Sequence, residues 1–105
     1  MNDEKLKSEY EWYKFMAEGA EYRLPLADAV ARYIVYGTGT GGFLQAVFSN
    51  NLVEASYRAD SSNVKALGNY GRYLQHHAPV SCYGSEDEMD NWRGLQGLED
   101  DLLGG

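Results

Sequence analysis

Apolar side chains recur every three or four positions through most of this 105-residue chain, which is the spacing of one face of an α-helix. The pattern is clearest after a glycine-rich turn, where these apolar residues share one stripe: Phe43, Leu44, Val47, Phe48, Leu52 and Ala55. The one run that favours a strand, residues 33–36, lies inside another helical period. We therefore predict an all-α fold, a compact bundle of four to five helices.

Residues that stop and start helices mark the ends of the first two segments. The first helix should cover residues 3–18, because good helix formers fill this stretch and Gly19 follows it. The second should carry Pro25 in its first turn, where the missing N–H does no harm. It should end at Gly37, a residue type that closes helices in a left-handed conformation.

Two capping signals mark the later helices. Asp60 can accept hydrogen bonds from the free N–H groups of residues 62 and 63, and the helix that it starts should end before Pro79. Ser85 is followed three residues later by Glu88, which is the pattern of a capping box before a short last helix.

Gly68 and Gly71 lie inside the helix that Asp60 starts. Each costs about 1 kcal/mol relative to Ala in a helix interior, so each requires a reason. Close approach of a neighbouring helix or of a ligand is one explanation, and a weak, kinked helix is the other.

The length of the chain suits one domain with one core. A hydrophobic fraction of 44% supplies that core without a disulfide or a metal. We expect a single helical domain over residues 1–98, followed by an acidic flexible tail over residues 99–105. The lone cysteine, Cys82, and an N-terminus without an apolar run predict a soluble, cytoplasmic protein with no membrane segment.

Charge is distributed unevenly along the chain, whose net charge is −7. Residues 1–22 carry six acidic and three basic side chains, residues 23–80 carry three and five, and residues 83–105 carry seven and one. The middle is therefore mildly basic, and an anion-binding surface is expected there. The overall acidity predicts that the protein does not bind duplex nucleic acid directly.

The middle of the chain carries a series of short motifs. They are the run YGTGTGGFLQAV at residues 36–47, then Asn50-Asn51-Leu52, Ala55, Ala59-Asp60, Asn63, Ala78-Pro79, Tyr83-Gly84-Ser85 and Trp92. Over residues 25–93 this series resembles a family of small bacteriophage proteins, with the outline Y-x-x-G, G-x-F-L-x-A-V-L, N-[DN]-L, A-D-x-x-N, A-P and W-G-S before a closing Trp. The chain has Phe48, Asn51 and Tyr83 where that outline commonly has Leu, Asp and Trp. The resemblance implies a phage gene expressed in the cytoplasm of an infected bacterium.

The glycine-rich turn is the segment whose residues point most clearly to a binding site. Free N–H groups at a helix start, glycines that let a ligand approach and threonine hydroxyls together form a site for phosphate or carboxylate. The candidate ligand-binding residues are Thr38, Gly39, Thr40, Gly41, Gly42 and Phe43, with Arg32, Arg58 or Arg72 as the base. No lysine follows the glycines, so the turn is not a P-loop. The alternative is a tight helix corner that requires glycine for positive φ.

The first helix and the residues after it carry more aromatic side chains than one helix face can bury: Tyr10, Trp12, Tyr13, Phe15 and Tyr22. Either the helix is central in the bundle, or part of it is a contact surface, because Tyr and Trp are frequent anchors of interfaces. On the second interpretation the protein is a homo-oligomer, most simply a dimer.

No residue set predicts metal binding or catalysis. His76 and His77 are adjacent and point about 100° apart on a helix, so they do not share a metal easily. Cys82 has a histidine nearby but no orienting third group at a recognisable spacing. We expect no cofactor, no metal and no enzymatic activity.

Two binding mechanisms remain. Because small phage accessory proteins chiefly redirect or disarm the host, the resemblance implies a host-interaction or counter-defence role. In the first mechanism the protein sequesters a small anionic, nucleotide-type ligand at the glycine-rich turn. In the second it occludes a host protein through the aromatic first helix or the acidic C-terminal end, whose charges are either a solvated face or a mimic of nucleic-acid phosphates.

Overall fold

The computed structural model describes the backbone of residues 1–104 and the side chains of residues 1–100, and its regular structure is helical. The helices are α1 (Asp3–Glu18), α2 (Ala27–Tyr36), α3 (Gly42–Phe48), α4 (Leu52–Arg58), α5 (Ser61–Lys65), α6 (Leu67–His77), α7 (Glu86–Asn91) and α8 (Gly94–Gly104), with a 3₁₀ turn at Val80–Cys82. No strand occurs within residues 1–104. The all-α prediction is confirmed, but these eight helices exceed the four to five expected.

The structure confirms the helix ends that were predicted from the capping residues Gly19, Gly37 and Asp60. α1 ends at Gly19, and α2 ends at Gly37, whose φ of +71° is left-handed. The Asp60 side chain accepts a hydrogen bond from the Asn63 N–H at 2.8 Å and starts α5. The single helix expected from Asp60 to Pro79 is nevertheless two helices, because α5 ends at Ala66 and α6 begins there. Pro25 lies before α2 and not in its first turn, because Leu26 is the N-terminal cap.

The helix expected across residues 43–55 is in fact two helices. α3 ends at Ser49, and the next residue, Asn50, has a left-handed φ of +64° that a continuous helix excludes. The Asn51 Oδ1 then accepts a hydrogen bond from the Glu54 N–H at 3.1 Å and caps α4. Two asparagines in succession therefore close one helix and open the next.

Buried tyrosines fill much of the core and use their hydroxyls to join helices. Tyr73 of α6 donates to the Tyr13 carbonyl of α1 at 2.8 Å, and Tyr33 of α2 donates to the Cys82 carbonyl at 2.8 Å. Tyr70 donates to the Asn63 Oδ1 at 2.6 Å. Many of the aromatic side chains are therefore internal, since these three hydroxyls find partners inside the protein.

The chain ends meet at one side of the bundle. α1 packs along α2, and α2 packs against α8. The Met1 amino group lies 2.8 Å from the Glu99 carboxylate of α8. The segment 99–105 that was predicted as an acidic tail thus begins inside α8, and Gly105 lies outside the described residues.

Candidate functional site

A cavity of about 350 Å³ opens between the α3–α4 turn, the middle of α6 and the Tyr83–Gly84 loop. Its walls are largely apolar, with Val47, Leu52 and Leu74 among the contributors. The volume falls within the range of small-molecule sites, which is about 300–1,000 Å³. None of its twelve lining residues carries a charge.

Three carboxamide side chains lie at this cavity: Asn50, Asn51 and Gln75. The Asn51 oxygen caps α4, which leaves its NH₂ group free to donate. The side chains of Asn50 and Gln75 make no hydrogen bond to any residue that the structure describes. The site therefore offers amide donors and acceptors beside an apolar wall, without a charge.

The two glycines of α6 differ in their relation to the cavity. A Cβ built on Gly68 or on Gly71 would have no atom within 4 Å, so neither glycine is required by a neighbouring helix. Gly71 lines the cavity and Gly68 does not. Approach of a neighbouring helix therefore loses its support at both glycines. At Gly71 access for a ligand remains, beside the alternative of a weak, kinked helix.

The glycine-rich turn places its glycines in two different environments. Gly37 alone among residues 37–42 has a left-handed φ, so the corner interpretation holds at that residue and is wrong for Gly39, Gly41 and Gly42. Gly39 and Gly41 border open space. The Thr40 Oγ1 is buried without a hydrogen-bond partner among the described residues, while Thr38 is exposed. Phe43 packs its ring against Tyr70 in the core, with ring centres 5.3 Å apart.

The structure brings one of the three candidate arginines to this turn. The Arg58 Nη1 would lie 2.9 Å from a Cβ on Gly42, and the Arg58 Nε lies 2.5 Å from the Glu54 carboxylate. The guanidinium borders a shallow polar depression that also contains Glu86 and that shares Ala46 and Asn51 with the cavity. With two acids beside one base, the depression attracts anions weakly.

The other two arginines have partners of their own. Arg32 pairs with Asp28 at 2.8 Å and lies over the Tyr10 ring, 5.2 Å from its centre. Arg72 donates to the Asn69 side chain on α6. Tyr10 donates a hydrogen bond to Asp28, and this bond, followed by the one from Arg32, holds the pKa of the Asp28 carboxyl below its ordinary value.

The five aromatic residues predicted as a contact surface divide between core and surface. Tyr13 and Tyr22 are buried, so they belong to the core and the prediction that they form an interface is wrong. Tyr10 is half-buried against α2. Trp12 and Phe15 remain exposed, at 46% and 74%, and lie one helical turn apart.

Helix α4 carries an apolar surface that the sequence did not indicate. Only Ala55 of this helix is buried, whereas Leu52, Val53 and Tyr57 are 67%, 81% and 84% exposed. Leu52 was predicted to lie on the buried stripe of one long helix. The break at Asn50 rotates it toward solvent.

The histidines contact buried tyrosines from the surface, His76 from an exposed and His77 from a half-buried position, whereas the cysteine lies in the core. His76 Nδ1 lies 2.7 Å from the Tyr22 hydroxyl, and the His77 ring is surrounded by the rings of Trp12, Tyr22 and Tyr73. Cys82 is fully buried, and burial raises the pKa of its thiol to about 12, which disfavours the nucleophilic thiolate. In the part of the chain that the structure describes, no three His, Cys, Asp or Glu side chains are grouped to hold a metal ion.

These features define a small helical protein with a ligand-sized cavity whose lining carries no charge. Comparison of the chain with protein-family models, with curated proteins and with solved structures gives no match. Among the helices described, none combines the length and the apolar character needed to cross a membrane.

Proposed function

We propose that this protein acts by binding, and that its site is the cavity between the α3–α4 turn, α6 and Tyr83. The observation that carries the proposal is the lining of that cavity: twelve uncharged residues in a chain of net charge −7. Moving a charged group from water into such a lining is unfavourable. The part of the ligand that enters is therefore uncharged.

The chemistry of the lining favours a heteroaromatic ring of the nucleobase type. Asn and Gln side chains pair with the donors and acceptors on the edges of bases, and a tyrosine ring stacks on a base face. The cavity has Asn50, Asn51 and Gln75 for the first interaction and Tyr83 for the second. Its apolar walls, Leu52 and Leu74 among them, complete a site for a flat ring.

A phosphate on the same ligand would lie outside the cavity, in the depression beside Arg58. The two spaces share Ala46 and Asn51, so a nucleotide can span them. Glu54 and Glu86 lie in that depression and offset the charge of Arg58. The ring thus supplies most of the binding free energy, and the phosphate adds little.

We further propose, from the resemblance to phage proteins, that binding serves a counter-defence role in the infected bacterium. Sequestration requires affinity for the ligand, and it does not require that the protein catalyse a reaction. A cavity without a grouped nucleophile, acid and base suits that role.

The experiment is calorimetric titration of the protein with the four ribonucleosides and with their 5′-monophosphates. At least one nucleoside is expected to bind, with its monophosphate within about tenfold in affinity because the charges near Arg58 nearly cancel. Arg58→Gln should then leave nucleoside binding unchanged. Failure of all eight compounds to bind would overturn the proposal.

Gly71 and Gly68 provide a matched pair of variants. Both lie on α6, and both have open space where a side chain would be added. Gly71→Leu should abolish binding because the new side chain enters the cavity, whereas Gly68→Leu should bind as wild type. Equal loss in both variants would show that the effect comes from α6 as a whole and not from the cavity.

A substitution at Thr40 tests the anion site predicted at the glycine-rich turn. If the turn binds phosphate, Thr40→Ala weakens nucleotide binding by about 1–3 kcal/mol, since one hydrogen bond to a charged group is lost. On the cavity proposal Thr40→Ala leaves the affinity for the monophosphates unchanged, as it does that for the nucleosides. Comparing the two ligand series for this variant separates the two sites.

A second candidate function, occlusion of a host protein, is favoured by the exposure of Trp12 and Phe15 on α1. Adjacent exposed aromatics are typical anchors of interfaces. A Trp12→Ala/Phe15→Ala double variant should lose any partner that wild-type protein captures from a host lysate, while keeping its helical circular dichroism spectrum. Capture that is identical for both proteins would exclude α1 as the contact surface.

A further inference from the structure

One of the three carboxamides at the cavity has a fixed orientation. The Asn51 Oδ1 accepts a hydrogen bond from the Glu54 N–H at 3.1 Å. A backbone N–H requires an acceptor, so rotating this amide by about 180° would turn its NH₂ group toward the N–H and lose the bond. The Asn51 side chain therefore presents a donor, and not an acceptor, to a ligand beside it.

The other two carboxamides have no such restriction. The side chains of Asn50 and Gln75 make no hydrogen bond to a residue that the structure describes. Each can turn either its oxygen or its NH₂ group toward a ligand, because the terminal torsion of Asn and Gln is broad and roughly two-fold. Of these three carboxamides, Asn51 is thus the one that distinguishes a ligand acceptor from a ligand donor.

Asn51 also lies where the cavity meets the depression beside Arg58. It is one of two residues, with Ala46, that line both spaces. For a nucleotide with its ring in the cavity and its phosphate in the depression, the bond between base and ribose lies at this junction. The ring acceptor next to that bond is O2 in a pyrimidine and N3 in a purine, the two acceptors that bases show in the minor groove of DNA. The fixed donor therefore meets an acceptor with either class of base.

We infer that Asn51 is a specificity-determining residue of the cavity, whose NH₂ group donates to the ring acceptor next to the ribose, O2 or N3. This inference rests on the proposed function. It narrows the ligand from a heteroaromatic ring in general to a ring with an acceptor beside its point of attachment. The contact recognises that class and does not select among the four bases.

Asn51→Asp removes the donor and keeps the cap. Because Asp and Asn are equally good N-terminal caps, the Tm should stay within a few degrees of wild type. In calorimetric titration, each ribonucleoside that binds wild-type protein should bind the variant at least about tenfold more weakly, since a carboxylate then faces the ring acceptor. Gln45→Glu is the matched control: it adds the same charge to the depression, outside the cavity lining, and should leave nucleoside affinity unchanged.

Ligand analogues identify the atom that Asn51 contacts. 3-Deazaadenosine lacks the N3 acceptor, and wild-type protein should bind it about three- to tenfold more weakly than adenosine. Asn51→Asp should lose much less affinity for 3-deazaadenosine than for adenosine, because no acceptor remains to face the carboxylate. Uridine and 2-thiouridine, whose sulfur is a weaker acceptor than oxygen, should show the same coupling.

Failure of this inference is distinguishable from failure of the proposed function. If Asn51→Asp binds nucleosides as wild type does, or loses adenosine and 3-deazaadenosine by the same factor, the inference is overturned and the cavity remains the site. An equal loss in Gln45→Glu would assign the effect to added charge and would also overturn it. If no nucleoside binds wild-type protein, the proposed function fails and this inference fails with it.

Discussion

Gly37 and Gly94 lie against each other where the end of α2 meets the start of α8, and both have left-handed φ angles, +71° and +82°. A Cβ on Gly94 would lie 2.5 Å from the Val35 carbonyl oxygen, and one on Gly37 would lie 2.9 Å from the Arg93 carbonyl carbon. The backbones of α2 and α8 therefore approach more closely than any side chain allows. Glycine is required here both for space and for conformation.

Gly94→Ala should reduce the free energy of unfolding by about 2 kcal/mol or more. The left-handed conformation alone costs a residue with a Cβ about 1–2 kcal/mol, and the contact with α2 adds to that cost. Urea unfolding followed by circular dichroism measures the loss. Gly39→Ala is the control, because its added Cβ meets nothing within 4 Å and should cause no destabilisation.

Substitution of the α6 glycines by alanine should stabilise the protein, in contrast to Gly94→Ala. Gly68→Ala and Gly71→Ala should each stabilise the protein by about 0.5–1 kcal/mol, because alanine restricts the unfolded chain and favours helix. For a domain of this size, 1 kcal/mol raises the Tm by about 4–8 °C. A lower Tm for either variant in thermal unfolding would mean that its Cβ meets an obstacle in the folded protein.

Local signals in the sequence identified four helix ends, because capping chemistry is local, but the ends at Ala66 and Trp92 were not predicted. Gly19, Gly37, Asp60 and Ser85 each act within a few residues of the backbone groups that they terminate. The break at Asn50 was missed because the apolar period continues across it. Two consecutive asparagines were the signal, since asparagine adopts left-handed φ and caps helices.

The cavity was not predictable from local patterns because three distant segments form it. Its lining comes from residues 46–55, residues 67–75 and residues 83–84, and only the tertiary fold brings them together. The one available signal was Gly71, whose helical position had no local explanation. The glycine-rich turn was more conspicuous in the sequence, but Arg58, the one candidate arginine that the structure brings to it, is already paired with Glu54.

Stability should fall at alkaline pH, starting near pH 9. Burial raises the pKa of Cys82 from 9.0 to about 12 and that of Tyr70 from 10.0 to about 12. Between the unfolded and folded pKa values the unfolded chain loses its proton while the folded chain keeps it, so rising pH favours unfolding. Below pH 9 both groups are protonated in both states, and they add no pH dependence.

The measurement is the urea midpoint at pH 7.5, 9, 10 and 11, with Cys82→Ala as the comparison. This variant should be less stable at every pH because it leaves a cavity in the core. Its decline between pH 9 and pH 10 should nevertheless be shallower, since the thiol no longer titrates. Parallel curves for the two proteins would show that Cys82 does not contribute to the alkaline loss.

Substitutions of the aromatic residues of α1 should fall into two classes by their effect on the free energy of unfolding. Tyr13 is 8% exposed and packs in the core, so Tyr13→Ala should destabilise the protein by about 3–5 kcal/mol, as large-to-small changes of buried aromatics do. Phe15 is 74% exposed, so Phe15→Ala should change the free energy of unfolding by less than about 0.5 kcal/mol. Urea unfolding at a protein concentration below that of any dimer measures both. A large loss for Phe15→Ala would mean that another part of the same chain covers this ring, which would remove α1 as a surface for a host protein.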